Sequence, residues 1–196
     1  MTDAQTSNQS VQPDQRRSFL KDFPHRLPSC RVHILFWSVA ATAFALDLLT
    51  KWAVFRWLQE RSYVPVIGNV VRLIMVYNNG AAFGLFRGHP NWLIVVSFVA
   101  LVVILCIFLF GGSKEKIMHI ATAFFAAGIC GNLYDRLFNH GMVRDFIDVG
   151  ITENLRWPAF NLADSLLCIA VGLMLISLCI TDKPCRKRAP RRKGEP

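Results

Sequence analysis

Charged residues are scarce in this sequence, and the places where they are missing define its class. They make up 18% of the chain, against 53% hydrophobic residues. This balance excludes a disordered chain and is more apolar than that of an ordinary soluble domain. One run, Trp92–Phe110, contains no charge at all. Because a helix at the surface of a soluble protein needs a polar face, a soluble all-α protein is disfavoured.

Motifs typical of metal and disulfide sites are also absent. The six cysteines include no C-x-x-C pair, and four of them lie inside hydrophobic runs, so neither a disulfide framework nor a zinc site is expected. There is no H-E-x-x-H motif, and the histidines show no ligand spacing. We therefore expect no metal site.

What the chain does contain is four long apolar runs. Each is close to the ~20 residues that cross ~30 Å of hydrocarbon as a helix. The fourth carries a single acid, Asp164, near its start. The sequence therefore predicts an all-α membrane protein of four transmembrane helices, within one domain covering residues 32–182. The runs are Val32–Leu49, Trp92–Phe110, Ile117–Leu133 and Leu162–Ile180.

The basic residues indicate how the four helices are oriented. Of 22 lysines and arginines, fourteen precede the first run, link the second to the third, or follow the fourth. The positive-inside rule then predicts that both termini are cytoplasmic. Residues 1–31 read as a disordered extension and residues 183–196 as a basic tail. The net charge of +9 is thus explained by topology and by contact with membrane lipids, and no nucleic-acid partner is expected.

The two connections on the opposite side differ in character. Between about residues 56 and 90, two β-type runs, Tyr63–Ile67 and Val70–Tyr77, flank the turn signal Gly68-Asn69. They predict a small sheet on the outer membrane face. Residues 139–158 are predicted to form a loop with little regular structure.

Polar residues gather at the depth where the helices meet this outer side. An ionisable group in a membrane helix is costly, and it is therefore a functional candidate by default. Topology brings these groups to one level, which separate packing needs would not explain. The residues are Asp47, Lys51, Asn132, Asp135, Arg136, Asp145, Asp148, Asn161 and Asp164.

Spacing alone leaves several interpretations of these residues open. Asp47 and Lys51, four apart, are compatible with a simple interfacial ion pair. Asp135 and the arginine after it are compatible with solvated charges. Asp145 and Asp164, if close together in a low-dielectric site, would share one proton and act as general acid and base. Alternatively, Asp164 simply favours the positive end of a helix dipole.

Two functions other than a peptidase are compatible with intramembrane charges. A small proton-linked transporter or channel subunit would use them as a relay, but a relay should step through the bilayer. Here the inner halves of the runs are nearly bare of charge. A non-catalytic membrane scaffold explains the helices and leaves the acids unexplained.

Five short motifs in order make the sequence similar to a known family. Together they resemble the bacterial lipoprotein signal peptidases, over roughly residues 33–182. Each motif is weak alone, whereas five in order on four helices of consistent orientation are specific. The motifs are Asp47-Leu48-Leu49-Thr50-Lys51, Asn78-Asn79-Gly80-Ala81-Ala82-Phe83-Gly84, Gly131-Asn132-Leu133-Tyr134-Asp135-Arg136, Val143-Arg144-Asp145-Phe146 and Phe160-Asn161-Leu162-Ala163-Asp164-Ser165.

The resemblance implies an aspartic endopeptidase of the bacterial inner membrane. Its substrate would be a prolipoprotein, cut on the amino side of a cysteine that already carries diacylglycerol. Asp145 and Asp164 would be the catalytic pair, near the periplasmic face, and no cofactor would be needed. We expect a monomer, with Asp135 in a structural role. Residues that would bind substrate or support the site are Asp47, Lys51, Asn78, Gly80, Asn132, Arg136 and Asn161.

Two positions depart from the family pattern. Leu48 stands where the family usually has glutamine, which weakens any polar role there. Arg144 stands where the residue before the catalytic aspartate is usually uncharged. A cation at this position would favour ionised Asp145 if it faced the site; otherwise it points outwards to solvent or headgroups.

Overall fold

The computed structural model describes residues 27–59, 61, 63–81, 86–113 and 115–181. The predictions for the first 26 residues of the amino-terminal extension and for the basic tail lie outside the described residues. So do residues 82–85, which belong to the second motif.

Four helices in the described part of the chain are long and apolar enough to cross a membrane. This confirms the predicted helical class. Each helix extends beyond its predicted apolar run at one end or both, because backbone hydrogen bonding of the helix continues into the flanking residues. They are α1 (Cys30–Trp57), α2 (Pro90–Phe110), α3 (Lys116–Phe138) and α4 (Leu162–Thr181).

Helix α3 lies at the centre and packs against each of the other three. Over half of its apolar span is buried inside the protein, 56%, against 17–22% for the others. Small residues allow this close packing: a Cβ on Gly128 would meet the carbonyl oxygen of Ala163 on α4. Between α1 and α2, Phe36 stacks on Phe108 with ring centroids 3.8 Å apart. The central helix is therefore the element through which the others are positioned.

A three-stranded antiparallel sheet lies beside the helix ends, in the order β1 (Tyr63–Ile67), β2 (Val71–Asn78), β3 (Val143–Val149). The first two strands confirm the predicted sheet. The third corrects the prediction of an irregular loop over residues 139–158. The cause is the make-up of its buried positions, which include Asp145 and Asp148. Acids at buried positions interrupt the run of apolar residues by which a strand is recognised.

Candidate active site

The start of helix α4 is built around a reciprocal pair of hydrogen bonds. The backbone N–H of Asp164 donates to Oδ1 of Asn161 at 3.0 Å, and the backbone N–H of Asn161 donates to Oδ2 of Asp164 at 3.2 Å. This is a capping box, with Asn161 as the N-cap and Asp164 at the third helical position. The carboxylate of Asp164 is thereby held at the positive end of the helix dipole.

Asp145 comes to the same place from strand β3. Phe160 pairs with Ile147 of that strand, which brings the residue that starts α4 beside it. Oδ1 of Asp145 accepts a hydrogen bond from Nδ2 of Asn161 at 2.6 Å, and Oδ2 accepts one from Nδ2 of Asn78 at 2.9 Å. The side chain of Asp145 is 1% exposed.

Burial dominates the electrostatics of Asp145. Burial first, and the nearby Asp164 second, raise its pKa from 3.8 to about 6. Hydrogen bonds from Asn78 and Asn161 act in the opposite direction, since they favour the ionised form. Asp145 is thus a carboxyl group that exchanges its proton near neutral pH and responds to the charge of Asp164.

Asn132 on α3 joins the two halves of the site. Its Nδ2 donates to Oδ1 of Asp164 at 2.8 Å, while its Oδ1 accepts from Nδ2 of Asn161 at 3.1 Å. The same Oδ1 accepts from Nζ of Lys51 at 3.2 Å. Because Lys51 can only donate, it forces the amide of Asn132 to present its NH₂ group to Asp164.

Lys51 and Asp47 on α1 support this arrangement through contacts with α3 and α4. They form the predicted ion pair, with Nζ and Oδ2 2.8 Å apart and both side chains fully buried. The pair also reaches other helices. Oδ1 of Asp47 accepts the backbone N–H of Ala163 on α4 at 2.8 Å, and Lys51 reaches the carbonyl oxygen of Gly131 on α3 at 3.4 Å. A buried ion pair with partners on two further helices is more than the simple interfacial pair that spacing allowed.

Asp135 is buried and paired, so the interpretation of it as a solvated charge is wrong. Its Oδ2 lies 3.3 Å from Nζ of Lys51. Its Oδ1 accepts from Nη2 of Arg144 at 2.6 Å, and its Oδ2 accepts the backbone N–H of Arg144 at 3.0 Å. The guanidinium of Arg144 therefore binds Asp135, which differs from both orientations left open above, towards Asp145 and outwards to solvent or headgroups.

Arg136, also predicted as a site residue, reaches the segment after β2. Its Nη2 donates to the carbonyl oxygen of Gly80 at 3.2 Å. The backbone N–H of Gly80 in turn donates to Oδ1 of Asn78 at 2.9 Å, which orients the Asn78 amide towards Asp145. The guanidinium of Arg136 interacts electrostatically with Asp164 and Asp145. The two residues predicted to be catalytic and the seven predicted to bind substrate or support the site therefore belong to one connected cluster.

Asp148 belongs to a different cluster, which sequence reasoning did not separate from the first. It is bound by Arg72 of β2 at 2.9 Å and by Arg156 at 2.8 Å. Although burial opposes it, hydrogen bonds from Arg156 and Arg72 hold the pKa of Asp148 below its usual range. Arg72 also binds Glu153 at 2.8 Å. This cluster clamps the sheet to residues 150–157. No sequence signal pairs these residues, because they meet only through the strand register.

Among the described residues, no three histidine, cysteine, aspartate or glutamate side chains are grouped so that they could hold a metal ion. The chemistry available to the site is that of the Asp145 and Asp164 carboxyl groups, three carboxamides and two cations, since the third carboxyl group of the cluster, Asp47, is paired with Lys51. Asp164 is half-buried, and Asp145 is almost fully buried. The arrangement is suited to proton transfer beside the start of α4.

Comparison with known proteins agrees with this geometry. The family model described as signal peptidase (SPase) II matches residues 39–180, which include all nine residues of the cluster. The chain belongs to the signal peptidase II family. Signal peptidase II is an aspartic peptidase with lipoprotein signal peptidase activity, which processes prolipoproteins, and the predicted function is thereby confirmed.

Signal peptidases of other bacteria match most of this chain. The lipoprotein signal peptidase of Aquifex aeolicus is 35% identical over 165 residues, which cover 81% of this chain and 93% of that protein. The lipoprotein signal peptidase of an Azoarcus species is 37% identical over 166 residues, covering 82% and 92%. That of Bacillus pumilus is 30% identical over 154 residues, covering 79% and 98%.

Two solved structures of bacterial membrane enzymes have a similar fold. A bacterial membrane enzyme determined by the in meso method at 2.3 Å resolution superposes with a TM-score of 0.71 at 27% identity, covering 85% of this chain and 99% of that one. A second, at 1.9 Å resolution, gives 0.66 at 29% identity, covering 79% and 96%. The chain is therefore a multi-pass bacterial membrane enzyme with a prolipoprotein substrate.

Proposed function

We propose that Asp145 and Asp164 are the catalytic pair of this peptidase. The observation that carries the proposal is the double engagement of Asn161. One side chain holds Asp145 through its amide and Asp164 through the capping box. Two carboxyl groups that share a partner in a buried site are suited to sharing one proton.

The raised pKa of Asp145 favours this group as the general acid and Asp164 as the general base. Below about pH 6 Asp145 keeps its proton, while Asp164 sits where a helix dipole stabilises negative charge. In the first step Asp164 removes a proton from water, whose oxygen attacks the carbonyl carbon of the scissile peptide. Asp145 gives its proton to the carbonyl oxygen. Collapse of the tetrahedral intermediate breaks the C–N bond, and the carboxyl pair returns a proton to the leaving amine.

The other clustered residues support this pair. Asn78 and Asn161 orient Asp145, and Asn132 orients Asp164. Lys51 fixes Asn132, and Asp47 holds Lys51 together with the start of α4. Arg136 and Gly80 hold the segment after β2, where we propose that the backbone of the substrate binds. Their hydrogen bonds support each assignment.

We further propose that the substrate is cut on the amino side of its diacylglyceryl-modified cysteine, that the enzyme acts as a monomer in the inner membrane, and that the sheet lies on the periplasmic face. Family resemblance supports the substrate and the membrane, and the distribution of basic residues supports both termini being cytoplasmic. Reporter fusions at Arg87 and Arg188 should report opposite sides. A report of the same side from both would contradict this topology.

The catalytic pair is tested by Asp145→Asn and Asp164→Asn. Each purified variant should lose nearly all cleavage of a lipidated prolipoprotein peptide, and the double variant should be hardly worse than either, because residues that act as one unit fail together. Asp148→Asn is the matched control, because it removes an acid from the same strand at a position held by Arg72 and Arg156. Folded Asp148→Asn should retain activity. Near-normal cleavage by either single variant of the pair would contradict the assignment.

A further inference from the structure

A cavity of about 370 Å³ is lined in part by Asp135 and Arg144. It is set between the ends of α1 and α3 and is covered by strand β2, whose Met75 and Tyr77 contribute to its lining. Neither Asp145 nor Asp164 lines it. The family activity does not account for this space, since the polar network of the site ends at Asp135.

Exposed aromatic residues of two spanning helices line the cavity. Trp52 of α1 is 58% exposed, and Tyr134 and Phe138 of α3 are also exposed. These aromatic residues lie on the spanning helices at the end where the sheet sits. Tryptophan and tyrosine in such positions are typical of the boundary between hydrocarbon and lipid headgroups. A molecule entering from this side would come from the bilayer.

The polar end of the cavity is cationic. Arg56 lines it and is exposed, and no carboxylate in the described part of the chain pairs with it. Arg144 lines it as well and donates to Asp135 through Nε and Nη2, which leaves Nη1 directed to no acceptor among the described residues. Asp135 is already neutralised by Lys51 and Arg144. The lining therefore carries an excess of positive charge beside an apolar wall.

We infer that this cavity binds a phospholipid with a net negative headgroup. The phosphate would lie between Arg56 and Arg144, because guanidinium groups bind phosphate oxygens through paired N–H donors. The upper part of an acyl chain would lie along the aromatic groove between α1 and α3. The charge complementarity of the two arginines selects an anionic headgroup, and the opening towards lipid selects a bilayer molecule over a soluble phosphate.

The test uses the full chain, purified in detergent and titrated with phosphatidylglycerol, while bound lipids are counted by native mass spectrometry. Arg56→Gln should weaken binding of the first phosphatidylglycerol about fivefold, the effect of one interfacial cation. Arg56→Lys should retain most of it. Arg61→Gln is the matched control, because Arg61 carries the same charge near the same surface but lies over Trp57, outside the cavity.

Three results would overturn the inference. Equal affinity of the unaltered protein for phosphatidylcholine would show that the groove recognises chains without regard to charge. Equal weakening by Arg56→Gln and Arg61→Gln, or none by either, would show diffuse attraction without a site. Glycerol phosphate that competed as strongly as the lipid would identify a soluble anion as the ligand. Preference for phosphatidylglycerol, lost in Arg56→Gln alone, supports it.

Discussion

Nδ2 of Asn161 lies 2.6 Å from Oδ1 of Asp145. Through this contact the residue that begins helix α4 also holds a carboxylate on strand β3. The same side chain caps the helix through its Oδ1, so the folding of the helix start and the orientation of the proposed acid depend on one carboxamide. These two contributions can be separated by mutation.

Substitution of Asn161 should separate capping from catalysis. Asn161→Ala removes both, and we expect a loss of about 1 kcal/mol in the free energy of unfolding from the lost cap, together with a large loss of cleavage. Asn161→Ser keeps a side-chain oxygen for the cap but has no amide to offer Asp145. It should recover most of the stability and little of the cleavage rate. Thermal unfolding in detergent and kcat on a lipidated peptide are the measurements. Recovery of both by serine would show that Asn161 acts through the helix alone.

The pH profile should reflect the proton on Asp145. Because the pKa of this group is raised to about 6 and the proposed mechanism needs one proton on the pair, kcat/KM should fall as pH rises through about 6. Asn78→Ala removes a hydrogen bond that favours the ionised form. The pKa of Asp145 should then rise, and the falling limb should move to higher pH. A limb that stayed in place, or moved to lower pH, would contradict the assignment of the proton to Asp145.

The junction of three helices at Gly131 should tolerate no added methyl group. A Cβ there would meet the carboxylate of Asp47 and the Cβ of Ala163. Overpacking of this kind costs about 1–3 kcal/mol, so Gly131→Ala should be less stable by that amount and should lose activity through displacement of Asp47. Gly172→Ala is the matched control, since no atom lies within 4 Å of its added Cβ. It should be neutral, or more stable by up to about 1 kcal/mol through helix propensity.

Arg144 and Asp135 should behave as one unit in stability. Removing either partner deprives the other of a charged hydrogen-bond partner, so Arg144→Gln and Asp135→Asn should each destabilise the protein. The double variant should lose less than the sum of the two, by about 0.5–3 kcal/mol. The pH limb assigned to Asp145 should not move in Arg144→Gln, because this guanidinium binds Asp135. Additive losses, or a shifted limb, would mean that Arg144 acts on Asp145 directly.

The helices and the first two strands could be predicted because their signals are local. The length of an apolar run decides whether it can span hydrocarbon, and two β-type runs around Gly68-Asn69 indicate a hairpin. Strand β3 was missed because two of its buried positions are occupied by Asp145 and Asp148, whose polar character hides the pattern of a strand. Local rules fail where residues serve a site.

The residues of the candidate site could be named from sequence, but apart from the Asp47–Lys51 pair their partners could not. Five motifs in order pointed to Asp145, Asp164 and the residues around them. The sequence contains no signal that the carboxylate of Asp135 receives Arg144 on one side and Lys51 on the other. Such a pairing depends on how a strand returns over the end of α3. The interpretation of Asp135 as a solvated charge was wrong for that reason.

The hydrogen bond from Ala163 to Asp47 sets the height of one spanning helix against another. Helices α1 and α4 cannot slide past each other without breaking a buried contact. If the bilayer is thicker or thinner than the helix bundle, the helices must tilt together or the surrounding lipid must deform. The geometry between Asp164 and Asp145 is preserved in that adjustment, while their distance below the headgroups changes. Membrane thickness should therefore change how readily a lipid-anchored peptide bond reaches the carboxyl groups. It should not change the rate of the bond-breaking step itself.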